Sequence, residues 1–239
     1  MKKNILIFGS NSAILRCSIK KFLTEGYKII GISKSNNNFK NIKNFTYLKF
    51  DIEKDELKEL YLKLNKKFQI GNIIYAIGGS KGNKKILSPC KNWQEIWWYN
   101  FGYSIDINNF FLPIMNKKKY GRILYFSSTA VNSKLGTAIY SSTKAIIEDY
   151  VKKMGKNFAK NNVFFNAIKT SIVSDKTNNW FKFEKNKSGI EIKRTLKNNL
   201  AIEKFGRSDY FKDMIFYLNS EKNKFTTGSI VEIDGGFLK

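Results

Sequence analysis

The sequence predicts an α/β fold: one doubly wound parallel sheet of about seven strands, with helices on both faces and residues 1–239 forming a single domain. Three observations carry this expectation. Short apolar runs alternate with longer amphipathic stretches along the whole chain, the pattern of repeated strand–helix units. Runs such as Asn4-Ile5-Leu6-Ile7-Phe8 are continuously apolar, as in strands buried on both faces. The third is size and composition: 239 residues, 42% hydrophobic and 15% aromatic, can bury one sizeable core and are too apolar for disorder. No internal repeat or interdomain linker breaks the pattern.

Taken in order, the elements follow from local signals. Asn4–Phe8 is a first strand leading into Gly9-Ser10-Asn11-Ser12-Ala13-Ile14-Leu15 and a helix to about Glu25, stopped by Gly26. Tyr27 to Ser33 is the second strand, and Ser33-Lys34-Ser35 after it offers hydroxyls and a cation. Phe45 to Phe50 is the third, ending at Asp51-Ile52. Lys54 to Phe68 is amphipathic, with Leu57, Leu60 and Leu64 on one side. Ile73 to Gly79 is the fourth strand and its turn. Trp93 to Met115 is expected as one long helix carrying Asn100, with Pro113 near its end. Gly121 to Ser128 is a buried fifth strand ending in hydroxyls, and a helix follows from Ala138 to about Lys160. Val163 to Ile168, continued through Ser171, is the sixth strand. After the mixed-polarity stretch Asp175 to Ala201, a helix ends at Leu218-Asn219-Ser220. Thr226 to Gly236 then reads as a turn, a seventh strand and a glycine pair.

Composition excludes several functions. There is no histidine, so His-based triads and the common zinc sites are ruled out, and no metal is expected. Cys17 and Cys90 lie far apart, in no metal-like spacing, and fit a reducing cytoplasmic location. No apolar run approaches the roughly 20 residues of a membrane span, and no signal-peptide pattern follows Met1. The +24 charge raises a nucleic-acid partner as a reading. Against it, only Arg16, Arg122, Arg194 and Arg207 among 43 basic residues are arginine, and the lysines are scattered. Phosphate and base readers lean on arginine forks. Compositional bias is the better account, and nucleic acid is not an expected partner.

The residues that carry chemistry are Tyr140 and Lys144, within Ile139-Tyr140-Ser141-Ser142-Thr143-Lys144. Four residues apart on a helix, they share one face. An ammonium so placed is expected to lower the tyrosine pKa and ready it for proton exchange with a carbonyl or alcohol. Asn100, the Ser127-Ser128 pair, Tyr140 and Lys144 come in an order that resembles the Asn-Ser-Tyr-Lys tetrad of the short-chain dehydrogenase/reductases. The resemblance runs nearly end to end, and is to members such as the 3-oxoacyl-carrier-protein reductases.

That resemblance implies a Rossmann-like fold and a set of roles. Tyr140, Lys144, Ser128 and Asn100 would be catalytic: acid/base, pKa partner, carbonyl-orienting hydroxyl and holder of a relay water. Alignment on Gly121-Arg122 favours Ser128, whereas counting back from Tyr140 selects Ser127; the two point to opposite faces of a strand. The phosphate-binding turn would comprise Gly9, Ser10, Asn11, Ser12 and Ile14, with Ala13 and Leu15 standing where the family has glycines. Lys34, with no acidic residue at that strand end, implies NADP rather than NAD. Asp51 and Ile52 would contact adenine. Gly78 would pass the cofactor in a turn where Tyr75-Ala76-Ile77-Gly78 replaces Asn-Asn-Ala-Gly, and Lys144 would also bond the nicotinamide ribose. Ser174 or Asp175 falls where a carboxamide contact is usual, with no assignment between them. Residues 175–201 would be a substrate lid, given an aromatic face by Trp180, Phe181 and Phe183.

The expected function is an NADP-dependent oxidoreductase interconverting a carbonyl and an alcohol. The alternative is a catalytically weakened nucleotide-binding regulator or scaffold. Ala13, Leu15, the missing Asn-Asn and Thr170-Ser171 in place of Pro-Gly motivate it, and the intact tetrad argues against it. Substrate candidates are a 3-oxoacyl thioester on an acidic carrier, a nucleotide-linked keto-sugar and a small ketone. A homodimer or homotetramer is expected through the helices Trp93–Met115 and Ala138–Lys160. Trp97, Trp98, Phe101, Phe110, Phe111, Ile146, Ile147, Tyr150, Val151 and Phe158 exceed what one core-facing stripe needs.

Overall fold

The computed structural model describes residues 3–35, 39, 42–83, 85, 87–175 and 178–238. Among them seven strands form one parallel sheet: β1 (Asn4–Phe8), β2 (Lys28–Ser33), β3 (Phe45–Lys49), β4 (Asn72–Tyr75), β5 (Gly121–Ser128), β6 (Val163–Thr170) and β7 (Ser229–Ile233). Their order is β3-β2-β1-β4-β5-β6-β7. The chain therefore starts mid-sheet, winds to one edge, and returns to build the other half from β4 outward. The crevice above the β1–β4 pair is the reversal point of such a sheet, where ligands sit at the strand C-termini.

Strand alternation sorts the core into two layers. Leu6, Phe8, Ile30, Ile73, Tyr75, Ile123 and Tyr125 face one side, under α2 (Leu57–Lys67), α4 (Tyr103–Lys117) and α5 (Ala138–Phe158). Ile5, Ile7, Ile29, Ile74, Leu124 and Phe126 face the other, under α1 (Arg16–Thr24) and α8 (Ser208–Leu218). Leu57, Leu60 and Leu64 form the buried stripe of α2. The stretch expected as a lid folds as α6 (Asn179–Asn186) and α7 (Gly189–Asn199) around a small core of Ile172, Leu196, Leu200 and Phe205. Residues 176 and 177 of that stretch lie outside the described residues.

The long helix expected over Trp93–Met115 is three pieces. It comprises α3 (Cys90–Trp97), a π-helical turn Trp98–Gly102, and α4, which continues through Pro113. The π turn carries Asn100 and packs tightly: a Cβ on Gly102 would lie 2.6 Å from the Trp97 ring. Inserted turns of this kind often occur at functional sites.

At the opposite end of the sheet from the crevice, Arg122 is fully buried, and all five of its N–H groups are matched. They donate to the carbonyls of Gly121, Asn162, Ser220 and Asn223 and to Asn162 Oδ1. The planar fork ties β5 to the turns before β6 and after α8. This basic residue is a structural staple, not part of an anionic-ligand surface.

Most of the aromatic surplus expected at a subunit interface is used inside the chain. Phe101, Phe111, Ile147 and Val151 are buried in the α2–α4–α5 layer. Phe110 stacks on Tyr61, with ring centroids 4.4 Å apart, and the Trp98 indole N–H donates to the Ile52 carbonyl at 3.1 Å. What remains exposed on α3 and α5 is Trp93, Trp97 and Ile146.

Candidate active site

A cleft of about 1140 Å³ opens over the C-terminal ends of the strands. Gly9, Asn11, Ser12 and Ile14 line one end with Lys34, Asp51 and Ile52; Gly78 lies midway, and Ser128 and Tyr140 line the other end. Ten of the residues expected at the site thus meet in one concavity.

The first turn is shaped by Gly9 and Leu15. Gly9 has φ +81°, and a Cβ there would lie 2.8 Å from the Ala76 backbone, so β1 and β4 pass closely only because it has no side chain. The helix then starts as a 3-10 turn, Ala13–Leu15, whose first amides lack partners within it. Leu15, where a small residue was expected for close packing, is fully buried with Ile19 and Phe22 against β1. Ser10 is not brought to the cleft. Its side chain is buried against Gly31, and its amide donates to the Ile32 carbonyl at 3.1 Å. Asn11 reaches across to β2, donating to Ser33 Oγ and Ser35 O at 3.0 Å each.

At the other end, Ser127 and Ser128 part company. Ser127 is buried and donates to Glu148 on α5 at 2.6 Å; Glu148 also pairs with buried Lys169 of β6 at 3.3 Å. Ser128 ends β5, caps the following 3-10 turn by accepting from the Ala130 amide at 3.2 Å, and hydrogen-bonds Tyr140. Tyr140 stands in the first turn of α5, which Thr137 caps.

Lys144 lies one turn further along, beneath the cleft. It is buried, its ammonium donates to the Phe126 carbonyl at 2.9 Å, and its Nζ is 5.6 Å from the Tyr140 ring centre. Burial brings its pKa down to about 8. Burial also pushes the Tyr140 phenol up, and the Ser128 hydrogen bond draws it partly back. This reverses the expected sign. The ammonium is turned to a backbone carbonyl, loss of solvent holds the phenol above its ordinary value, and Tyr140 is a protonated phenol at neutral pH.

Asn100 acts on the β4 turn. Its amide donates to Gly79 O and Ile96 O at 2.9 Å each, and its Oδ1 accepts from the Gly79 amide at 2.8 Å. A Cβ on Gly78 would lie 2.6 Å from that Oδ1, so only glycine lets the turn pass. Tyr75, in place of the family's first turn asparagine, points down into the α4 layer and donates to Asn108 Oδ1 at 2.8 Å. Asn108 in turn donates to the Tyr125 and Tyr150 hydroxyls.

After β6, neither Ser174 nor Asp175 lines the cleft. Ser174 donates to Glu184 at 2.5 Å, and Asp175 accepts from Arg16 at 3.2 Å. The wall there is Thr170 to Val173, with Asn178 and Trp180 from the stretch expected as a lid. Trp180 packs edge-on to Phe183, and Arg207 forks onto Glu184, pinning α6 over the cleft. Sequence reasoning missed Tyr99, Thr137 and Asn178 as lining residues. Their signal is only their place beside the motifs, Thr137 and Asn178 at helix starts and Tyr99 in the π turn next to Asn100.

The chain matches the family profile described as short chain dehydrogenase over residues 3–187. It is 22% identical to the 3-oxoacyl-(acyl-carrier-protein) reductase of Buchnera aphidicola subsp. Acyrthosiphon pisum, over 98% of this chain and 97% of that one. Its fold superposes with TM-score 0.87 on a 3-oxoacyl-(acyl-carrier-protein) reductase from Agrobacterium tumefaciens C58 with NADP bound, at 17% identity over 98% of this chain and 93% of that chain. A short chain dehydrogenase from Leptospira borgpetersenii with bound NAD+ superposes with TM-score 0.84, at 20% identity over 99% and 92%. No helix among the described residues is long and apolar enough to cross a membrane. With its parallel sheet, its glycine turn and a profile match over more than half its length, the chain belongs to the short-chain dehydrogenase family of oxidoreductases.

Proposed function

We propose that the protein is an NADP-dependent carbonyl reductase or alcohol dehydrogenase with Tyr140 as its acid/base. The observation that carries this reading is the Ser128–Tyr140 hydroxyl pair at one end of a cleft whose other end is the Gly9 turn and Lys34. The relatives seen with NADP and with NAD+ support a nicotinamide dinucleotide in that cleft. The residues fit one: close backbone approach at Gly9 and Gly78, a 3-10 turn whose start has no side-chain cap, and Asp51 and Ile52 at the far wall. When bound, such a nucleotide supplies or accepts the hydride.

The chain's own part is positioning and proton transfer. Ser128 Oγ holds the substrate oxygen against Tyr140, whose phenol, kept protonated by burial, donates to that oxygen as the carbonyl is reduced. Lys144, largely protonated below about pH 8, offsets the phenolate this leaves. Asn100 clamps the Gly78-Gly79 turn and sits beside the Lys144 ammonium, a place suited to the relay water. Substrates are carbonyls of one of three classes: a carrier-bound 3-oxoacyl thioester, a nucleotide-linked keto-sugar or a small ketone. The name of the Buchnera relative supports the first. NADPH oxidation assayed against one compound of each class tests the reading, and turnover of none would reject it.

NADP is preferred because Lys34 lines the cleft at the end of β2. Lys34→Asp is expected to reverse the NADPH to NADH ratio of kcat/KM, replacing attraction for a 2′-phosphate by repulsion. A wild-type preference for NADH rejects this assignment.

The α3–α5 face supports a homodimer or a tetramer built from two. Trp93, Trp97 and Ile146 remain 37%, 39% and 42% exposed, and apolar surface of this kind is buried across a two-fold axis. Repulsion at +24 opposes association but is screened beyond about 8 Å at physiological salt. Light scattering at about 150 mM salt is expected to give a multiple of 27.7 kDa; a monomer there refutes it.

A further inference from the structure

Just outside the far end of the cleft, behind Tyr99 and next to the lining residue Ser80, stands a second lysine that the family resemblance does not assign. Lys81 lies in the turn after β4 and is held at φ +50°, a left-handed conformation uncommon for a side chain of this type. Its Nζ lies over the Tyr99 ring, 5.4 Å from the centre, while the Lys34 Nζ reaches the same ring at 5.8 Å from β2. Tyr99 lines the cleft beside Lys34, Asp51 and Ile52. Two ammonium groups from separate loops thus converge on one aromatic ring at the adenosine end.

Like charges brought together in this way call for an anion. In the structure Lys81 is ion-paired with Glu53, two residues beyond Asp51. Both partners are partly exposed, 34% and 24%, and such pairs are weakly held. Glu95 also faces Lys81, and Asp51 faces Tyr99, but Glu53 is the carboxylate in contact. A phosphate dianion entering beside Tyr99 competes well with one carboxylate, because it offers more charge and more acceptor oxygens.

We infer that Lys81 is a second cation for the 2′-phosphate, held by Glu53 in the free protein and transferred to the phosphate as the nucleotide binds beside Tyr99. The site takes a phosphate monoester on an adenosine ribose, read from two sides: by Lys34 from β2 and by Lys81 from the β4 turn. Tyr99 is the surface on which the two ammonium groups are spaced. This inference rests on the NADP reading above and adds a residue that motif comparison does not reach.

The test is equilibrium binding of NADPH and NADH without substrate, followed by cofactor fluorescence, with adenosine 2′,5′-bisphosphate as competitor. Lys81→Met keeps the aliphatic stem and the backbone strain and removes only the charge. It is expected to weaken NADPH and the bisphosphate about tenfold, the loss of one charge-assisted contact, with NADH changed by less than about twofold. Lys81→Arg should keep the NADPH affinity. Glu53→Gln, which frees Lys81, should tighten NADPH about threefold and leave NADH alone. If the wild type prefers NADPH and Lys81→Met leaves that preference intact, the role of Lys81 is overturned while the NADP reading stands. Equal weakening of both nucleotides by Lys81→Met also overturns it, because that marks a loop-packing role. Equal wild-type affinity for NADH and NADPH overturns both.

Discussion

Tyr140→Phe is expected to lower kcat by about a hundredfold to ten-thousandfold, while NADPH affinity stays within a few-fold of wild type. The variant removes one oxygen from a half-buried ring in the first turn of α5 and leaves the Thr137 cap, the Lys144–Phe126 contact and the Gly9 turn untouched. The fold and the nucleotide end of the cleft therefore have no reason to change. What is lost is the phenol that hydrogen-bonds Ser128. Steady-state rates beside a cofactor fluorescence titration separate the two effects. Retention of most activity would sink Tyr140 as the proton donor, and loss of NADPH binding in parallel with rate would assign the tyrosine to the nucleotide instead.

Ser128→Ala should cost about tenfold or more in kcat/KM, and Ser127→Ala little, although the two serines are adjacent. The magnitude for Ser128 is that of losing one donor aimed at the reacting oxygen. Ser127 spends its hydroxyl on Glu148, so its removal is felt as stability, about 1–2 kcal/mol for a buried acceptor left short of one bond. A titration of the phenol itself adds a check on sign. The Ser128 hydrogen bond lowers the Tyr140 pKa against a larger upward push from burial. Without it the phenol titrates at still higher pH, so Tyr140 tyrosinate formation, followed by ultraviolet difference absorbance against Tyr140→Phe, should move up in Ser128→Ala and stay in place in Ser127→Ala. The reverse order of rate effects, or a shift with Ser127→Ala, would move the role to Ser127.

Much of this site is legible in sequence because its signals are local. A continuously apolar five-residue run, a glycine after it and an amphipathic stretch beyond are set by neighbours along the chain, and β1, β5, β6 and α5 fall where those signals put them. The order Asn100, Ser128, Tyr140, Lys144 is also linear information, and it led to the family by resemblance. Even the ambiguity at Ser127-Ser128 was visible, because strand alternation says that adjacent residues face opposite ways.

Other features are set by contacts that no local pattern encodes. Which serine faces the cleft depends on α5 presenting Glu148 to one side of β5 and Tyr140 to its end. The π turn at Trp98–Gly102 has the apolar content of an ordinary helix; its wider winding goes with the bond of Asn100 to a carbonyl turn 21 residues away. Ser10 reads as a phosphate-turn residue, yet Gly31 on the neighbouring strand leaves it a buried niche. Lys81 is one lysine among many until the turn after β4 sets it over Tyr99 opposite Lys34. The sequence by itself determined the sheet, the family and the candidates for the reactive groups, because periodicity and motif order are properties of the chain. The tertiary structure alone decided the burial that pushes the Tyr140 phenol up, the partner of each serine and the approach of two cations to the Tyr99 ring. Burial and like-charge proximity depend on distances between segments that the chain brings together only when it folds.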